Sequence, residues 1–500
     1  MEDLKRYILA LDEGTTSARA ILFDKNLCAV AVAQNEFSQI YPRPGYVEQD
    51  PMEIFAAQYS AMTECVAKSG VDPKEIASVG ITNQRETVVC WDKVSGKPLY
   101  NAIVWQCKRT ADYCDKLIAD GLEPLIRSKT GLKIDAYFSA TKIKWLLENV
   151  PIVRKKAEKG ELMVGTVDSW LIYKLTGGKS HVTDLTNAAR TMLFNIKTLS
   201  WDDELLKLFG INKSVLPEVK LSGGLFGEVD LMGARLPITG VAGDQQSALF
   251  GQGCFKKGEA KNTYGTGCFL LANAGDKFIE SENGLITTLA ATLDGEPPCY
   301  ALEGSVFVGG AMVKWLRDEL RLISDSKDSE YFAAKIKSSG GVYVVPSFQG
   351  LGAPYWDMHA RGAIFGLTRG AGRNEIIRAS LEGIAYRAND VIRAMSCDMG
   401  EDIKTLKADG GAAQNGFLMQ FQADISDLTV VVPVSTEATA LGAAMIAGLA
   451  VGFYESKFEL IKKLTVKKTY APKMSCGERE NLLKGWRAAV TAARAFKPSV

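Results

Sequence analysis

The sequence predicts an α/β protein built from two similar domains, and three observations predict it. Short β runs alternate with helical stretches along the chain. At 500 residues the chain is longer than one hydrophobic core readily serves. A hairpin rich in Gly and Thr near the N-terminus has a counterpart half a chain later, at "EAKNTYGTGCFLLAN", residues 259–273.

The first hairpin is "YILALDEGTTSARAILFD", residues 7–24. An apolar run stops at Asp12, a turn of hydroxyls follows, and a second apolar run resumes at Ala20. Glycine lets a backbone approach a phosphate, and Thr15, Thr16 and Ser17 add donors. Asp12 at the strand end can hold Mg²⁺, usually through waters. Such a turn also closes ordinary hairpins as an Asx or ST turn, so alone it does not decide.

A helix is expected over "DPMEIFAAQYSAMTECVAKSG", with Asp50 as N-cap, Pro51 in the first turn, Glu53 as capping-box partner and Gly70 as the stop. A second long helix is expected over "RNEIIRASLEGIAYRANDVIRAM". Strands are expected at 78–83, 162–167, 238–244, 341–348, 405–411 and 428–433. In the second hairpin Gly265-Thr266-Gly267 replaces Gly14-Thr15-Thr16. A third loop, "ADGGAAQNGFLMQ", ends a strand in Asp409-Gly410-Gly411 and opens a helix bearing Asn415. Glycines there let a flat ring or a phosphate pack on bare backbone. Three such loops on one chain point to a nucleotide cleft. The domain boundary is expected between a helix and the second hairpin, giving domains 1–252 and 253–500.

Composition excludes other classes. The net charge of +1 gives no basic excess for nucleic acid. Ten scattered cysteines form no CxxC pair, which argues against a zinc ribbon and for free thiols in a reducing cytoplasm. Only His181 and His359 exist, so a His-rich metal site is impossible and carboxylates are expected to do any proton work. Both histidines read as surface or packing residues. The apolar stretch 438–453 is shorter than a membrane span and carries three glycines, so it reads as a closely packed soluble helix, without membrane insertion. "GGKS" at 177–180 has Tyr173 where a P-loop needs glycine. No GxGxxG follows a strand, and no HRD or DFG set exists.

The hairpin with Asp12, the Gly-Thr-Gly hairpin and the D-G-G turn together resemble the actin-like, ribonuclease-H-like ATPase fold of hexokinases and Hsp70 chaperones. That fold has two ribonuclease-H-like domains flanking a nucleotide cleft. Longer stretches narrow the resemblance: "GITNQRET", "NAIVWQCKRT", "YFSATKIKW", "GVAGDQQSALFGQ", "NTYGTGCF" and "GLGAPYWDMHARGAIFGLTRG". From Tyr7 to about Tyr454 the chain is similar to the FGGY carbohydrate kinases, in particular to the branch that phosphorylates glycerol.

The resemblance implies an ATP- and Mg²⁺-dependent enzyme that converts glycerol to sn-glycerol 3-phosphate, the first step of glycerol catabolism. The first domain would bind glycerol and phosphate, the second the nucleotide. By matching position, Arg85 and Glu86 would hold two hydroxyls, Tyr137, Asp244 and Gln245 would add hydrogen bonds, and Trp105 and Phe269 would wall the carbons. Asp244 would be the general base and, with Asp12, would hold the cation. Thr15, Thr16, Ser17, Arg19, Thr266, Gly310, Gly411 and Asn415 would surround the nucleotide. Two departures stand out. Lys314 occupies a position where bacterial members often carry Gln, and the connection in "GEVDLMGARLPITG" is too short for a basic sugar-phosphate effector loop. A homo-oligomer, dimer or tetramer, is also expected. Two alternatives stay open: another FGGY kinase acting on a longer polyol or ketose, and an actin- or Hsp70-like ATP-driven switch.

Overall fold

The computed structural model describes residues 5–496. Two mixed sheets carry the molecule. The strands of the first are β1 (Tyr7–Glu13), β2 (Ser17–Asp24), β3 (Ala29–Glu36), β4 (Ile76–Asn83), β5 (Gly223–Leu231) and β6 (Ala234–Gly243). Those of the second are β7 (Ala260–Tyr264), β8 (Cys268–Gly275), β9 (Ile286–Leu289), β10 (Tyr300–Val306), β11 (Thr405–Asp409), β12 (Thr429–Pro433) and β13 (Val466–Tyr470). Their orders are β5-β6-β4-β1-β2-β3 and β9-β10-β8-β7-β11-β12-β13.

The two sheets follow the same path. β1 pairs antiparallel with β2 and parallel with β4, which pairs parallel with β6. β7 pairs antiparallel with β8 and parallel with β11, which pairs parallel with β12. Helix α1 (Pro51–Ser69) follows β3 in the first half. In the second half the 27-residue helix Arg373–Met399 follows β10. The Gly/Thr repeat in the sequence is therefore a repeat of architecture.

β1 is buried on both faces, which is why it reads as one apolar run. Its period of two sends Leu9 and Leu11 toward Ile54 and Met62 of α1. Ile8 and Ala10 go to the other face, where Leu441 and Met445 await them. Those two residues belong to helix Ala438–Ala450, so an element from late in the chain covers the first sheet. Small residues allow the approach. A Cβ on Gly80 of β4 would lie 2.3 Å from the Ala443 carbonyl oxygen, and one on Gly442 would lie 1.9 Å from that of Ser247. Among the described residues no helix is long and apolar enough to cross a membrane.

Some local expectations are corrected. Asp50 caps α1 through the Met52 N–H and Gly70 ends it in the left-handed region, but Glu53 closes no capping box. Its carboxylate accepts from the Ser38 N–H at 3.1 Å instead, tying the incoming loop to the helix. The strand expected over 162–167 stops at Gly165, because Thr166 already leads into helix Val167–Leu175. That expected over 341–348 shrinks to Tyr343–Val345. β5 and β6 join through Met232 and Gly233, both at positive φ, a two-residue turn that leaves no room for an added loop. His181 is a packing residue, edge-on to Trp91 at 5.2 Å.

Candidate functional site

The candidate residues lie on loops, strand ends and helix starts of both halves. At the end of β4, Asn83 leads into Gln84, Arg85 and Glu86, all buried. β6 ends at Gly243, and Asp244 is the first residue of helix α2 (Asp244–Gly251), not the last of the strand. The parallel register sets Gly243 beside Asn83, so the two loops are neighbours.

Arg85 is the hub. Its guanidinium donates to Glu303 at 2.7 and 3.1 Å and to the Gln246 Oε1 at 3.2 Å. Its Nε lies 3.1 Å from the Asp244 carboxylate and 3.8 Å from that of Glu86. Arg190 joins in, donating to Glu86 at 2.6 Å and to Glu303 at 3.1 Å. Four side chains with almost no solvent exposure thus form a closed alternation of charge. Burial alone would lower Arg85, but Glu303 and Glu86 outweigh it and hold the guanidinium well above its ordinary value. Burial raises Glu303 too, yet Arg190 and Arg85 more than offset it and leave this carboxyl at about 2. For Glu86 burial wins, and its carboxyl stays above the ordinary range despite both arginines.

Asp244 differs from these by being open. Its side chain is 33% exposed, so it is reachable from solvent. Gln245 braces it, donating its N–H to Oδ1 at 2.7 Å and its amide to Oδ2 at 3.0 Å. Gln245 is held in turn by the Lys261 ammonium at 2.5 Å. Trp105 stands T-shaped to Tyr137 with centroids 5.5 Å apart, a half-buried aromatic corner. Lys142 donates to the Tyr137 and Phe138 carbonyls at 2.5 and 3.1 Å and fixes the Tyr137 backbone. Phe269 stands on the other half, in β8 opposite Thr263.

The first hairpin turn is braced from the same side. Gln39 and Gln49 both donate to the Thr15 carbonyl at 2.6 Å. The Trp105 indole donates to the Thr15 hydroxyl at 3.0 Å, which joins the aromatic corner to the hydroxyl turn. Thr16 is exposed and Ser17 half-buried. Asp12 is buried with Oδ2 lacking any hydrogen bond, although Arg19 comes within 3.3 Å out of alignment. Burial raises the Asp12 carboxyl to about 6; Arg19 lowers it, but Glu437 and Asp244 push it up again. Among the described residues no cluster of three or more His, Cys, Asp or Glu forms a metal cage, so a divalent cation here would take few protein ligands and keep several waters. Asp12 and Asp244 could hold one.

A separate cavity of about 420 Å³ lies in the second half. Thr266, Gly310, Gly411 and Asn415 line it together, with Tyr264, Lys314 and Leu381. The Gly310 N–H donates to the Gly265 carbonyl at 2.8 Å, so the hairpin tip and a helix start are locked together. Asn415 caps helix Gly416–Ser426 through the Leu418 N–H at 2.9 Å and reaches Ser329 at 3.1 Å. A slot with a hairpin tip, bare glycine backbone and helix starts suits a flat ring with a phosphate tail.

The structure therefore gathers the candidate residues into two groups. Asp12, Thr15, Thr16, Ser17, Arg19, Arg85, Glu86, Trp105, Tyr137, Asp244 and Gln245 sit on the first half; Thr266, Phe269, Gly310, Gly411 and Asn415 sit on the second. Lys261 links them, since it bonds Gln245 and also Thr263, which adjoins Tyr264 at the cavity wall. Sequence reasoning missed Glu303, Arg190, Lys261 and Lys142. A signal for two of them existed: Glu303 and Lys261 are charged residues within otherwise buried strands.

Comparison with known proteins follows this geometry. The FGGY family of carbohydrate kinases matches twice, its N-terminal domain over residues 7–251 and its C-terminal domain over 260–451. The chain is 60% identical over 496 residues to a glycerol kinase of Fusobacterium nucleatum, covering 98% of this chain and 100% of that one. It is 59% identical to a glycerol kinase of Carboxydothermus hydrogenoformans, covering 99% of each. Among solved structures it is similar to Plasmodium falciparum glycerol kinase with ADP, at TM-score 0.93 and 40% identity, covering 97% of this chain and 98% of that one. It is also similar to a ligand-bound xylulose kinase of Lactobacillus acidophilus, at TM-score 0.87 and 25% identity, covering 99% of each.

Proposed function

Because the chain belongs to the FGGY family of carbohydrate kinases, we propose that it is an enzyme that phosphorylates glycerol with ATP, producing sn-glycerol 3-phosphate and ADP. The observation that carries the reading is near 60% identity, end to end, with glycerol kinases of two organisms. The geometry supports it. A small triol needs charged partners for hydroxyls and an aromatic edge for carbons. Arg85, Glu86, Tyr137, Asp244 and Gln245 supply the hydrogen-bond partners; Trp105 and Phe269 supply the aromatic edge.

The reaction follows from the open carboxylate. The Asp244 carboxylate accepts the proton of the attacking hydroxyl. The glycerol oxygen forms the new bond to the γ-phosphorus as the bond to the bridging oxygen of ADP breaks. The protein's work is mostly positioning and charge neutralisation. Thr15, Thr16, Ser17 and Arg19 grip phosphate from the first half. Thr266, Gly310, Gly411 and Asn415 hold the nucleotide in the second. Asp12 and Asp244 would hold Mg²⁺, partly through water, and the bound cation would neutralise phosphate charge. Residues 1–252 and 253–500 act as the glycerol and nucleotide domains. The same reading has the enzyme working as a homo-oligomer in a reducing cytoplasm, consistent with ten free cysteines.

The test is ATP turnover with and without glycerol, alongside xylulose and other polyols. ADP release that requires glycerol supports the proposal. Turnover indifferent to every polyol would favour an ATP-driven switch, and preference for a ketose would favour another FGGY substrate.

A further inference from the structure

Asp184, outside the residues assigned so far, sits fully buried at the end of strand Val182–Asp184. Its carboxylate collects donors from every side. The Thr186 and Asn187 N–H groups donate to it at 3.0 and 2.9 Å. The Ser222 hydroxyl donates at 2.8 Å and the Asn187 amide at 3.0 Å. The Thr186 hydroxyl lies 2.8 and 2.9 Å from its two oxygens.

Two of these partners pass the restraint on. The Thr186 hydroxyl, with its proton directed at Asp184, accepts the Gly243 N–H at 2.8 Å. Gly243 immediately precedes Asp244. Asn187 makes a reciprocal amide pair with Asn83, at 3.0 and 3.1 Å. Asn83 ends β4, two residues before Arg85. One carboxylate therefore clamps both loop starts: the one that presents Arg85 and Glu86, and the one that presents Asp244. A Cβ on Gly243 would meet the Arg85 side chain at 2.7 Å, so a small shift of this backbone is felt directly at Arg85.

We propose that Asp184, acting through Thr186 and Asn187, is a positioning residue for phosphoryl transfer. It sets the distance between the proton-accepting carboxylate and the groups that bind the substrate hydroxyls. The inference rests on the reading of Asp244 as the base. Asp184 touches neither substrate, so its effect is on alignment: a misplacement of about 1 Å costs up to about 10²-fold in rate.

The test is kinetic. Thr186→Val keeps the shape but removes the acceptor for the Gly243 N–H; Thr186→Ser keeps the hydroxyl. Asp184→Asn leaves the donors facing an amide. With ATP and glycerol saturating, Thr186→Val should lower kcat by about 10- to 100-fold. Glycerol KM should move less than kcat, and Thr186→Ser should restore the rate. Asp184→Asn should behave as Thr186→Val does. Asp390→Asn is the control, because that carboxylate bonds Trp486 and Arg387 in the second half and not the loop before Asp244. It should keep kcat within about twofold. Thr186→Val with wild-type kcat, or Thr186→Ser as slow as Thr186→Val, overturns the proposal. Asp244→Asn in the same assay separates the two claims. If it loses kcat while Thr186→Val does not, only the positioning role fails; if it keeps kcat, the base assignment fails.

Discussion

Glu303→Gln removes one negative charge from the buried cluster and changes little else. In the native protein this carboxylate accepts three charged hydrogen bonds, at 2.7 and 3.1 Å from Arg85 and 3.1 Å from Arg190. The size of the loss can be reached by two routes. Held at about 2 against an ordinary 4.5, the carboxylate contributes about 3 kcal/mol at neutral pH. Removing one partner of a buried ion pair costs about 3–5 kcal/mol, since the other charge stays buried. At about 2–4 °C per kcal/mol for a domain of this size, melting should fall by roughly 6–20 °C. The sign with pH is fixed as well. A depressed carboxyl stabilises above its unfolded value and loses that contribution as pH falls from about 4.5 through about 2. The variant should lack this part of the acid sensitivity. Because Glu303 comes from the second half and orients Arg85 on the first, glycerol KM should rise about tenfold or more. Thermal melting at several pH values and steady-state kinetics check both. A variant that melts with the wild type, or keeps its glycerol KM, would refute the view that Glu303 anchors Arg85.

Arg85→Ala should raise glycerol KM strongly while ATP affinity by calorimetry persists, each lost charged bond costing about 1.5–3 kcal/mol; equal loss of nucleotide affinity would place Arg85 in the wrong site. Gly310→Ala would set a Cβ 2.8 Å from the Gly265 carbonyl oxygen, so ATP KM should rise with glycerol KM little changed. His181, which burial lowers from 6.5 to about 4, must stay neutral to fold. Acidification from pH 6.5 toward 4 should therefore cost the wild type up to about 3 kcal/mol of stability, a loss that His181→Phe should escape in urea titrations of both proteins at pH 7 and 5. Glycerol with a non-hydrolysable ATP analogue should compact the protein in small-angle scattering, because the phosphate-gripping loops lie on separate halves; an unchanged radius would count against closure.

The fold was largely legible because local signals and tertiary structure agree. Asp50, Pro51 and Gly70 bracket α1 as their chemistry demands, and the two Gly/Thr hairpins begin two sheets of one topology. What the sequence hid was pairing across distance. Glu53 looks like a capping-box residue, yet Ser38 competes for it. Arg85 and Glu86 look like neighbours that pair with each other, but they lie 3.8 Å apart at nearest approach and each is bound more tightly elsewhere. Arg85 finds Glu303, 218 positions away, and Glu86 finds Arg190, 104 positions away. The phosphate- and nucleotide-side candidates stood out by their Gly, Thr and Asp loops, whereas Arg85, Glu86, Trp105, Tyr137, Asp244, Gln245 and Phe269 stood out only through the family resemblance. Of the residues that orient them, Glu303 shows only as a charge within an otherwise buried strand, and Lys142 and Asp184 become visible only once their elements are packed.

The central claim is that Asp244 accepts the proton as phosphoryl moves to glycerol. Asp244→Asn tests it most directly, because the amide keeps size and hydrogen bonding but accepts no proton at neutral pH. The measurement is kcat at saturating ATP and glycerol, with glycerol affinity titrated by calorimetry on the same preparation. The account predicts a fall in kcat of about 10²–10⁴ with affinity much less affected. A kcat close to wild type with a greatly raised KM would contradict it and leave Asp244 a binding residue only.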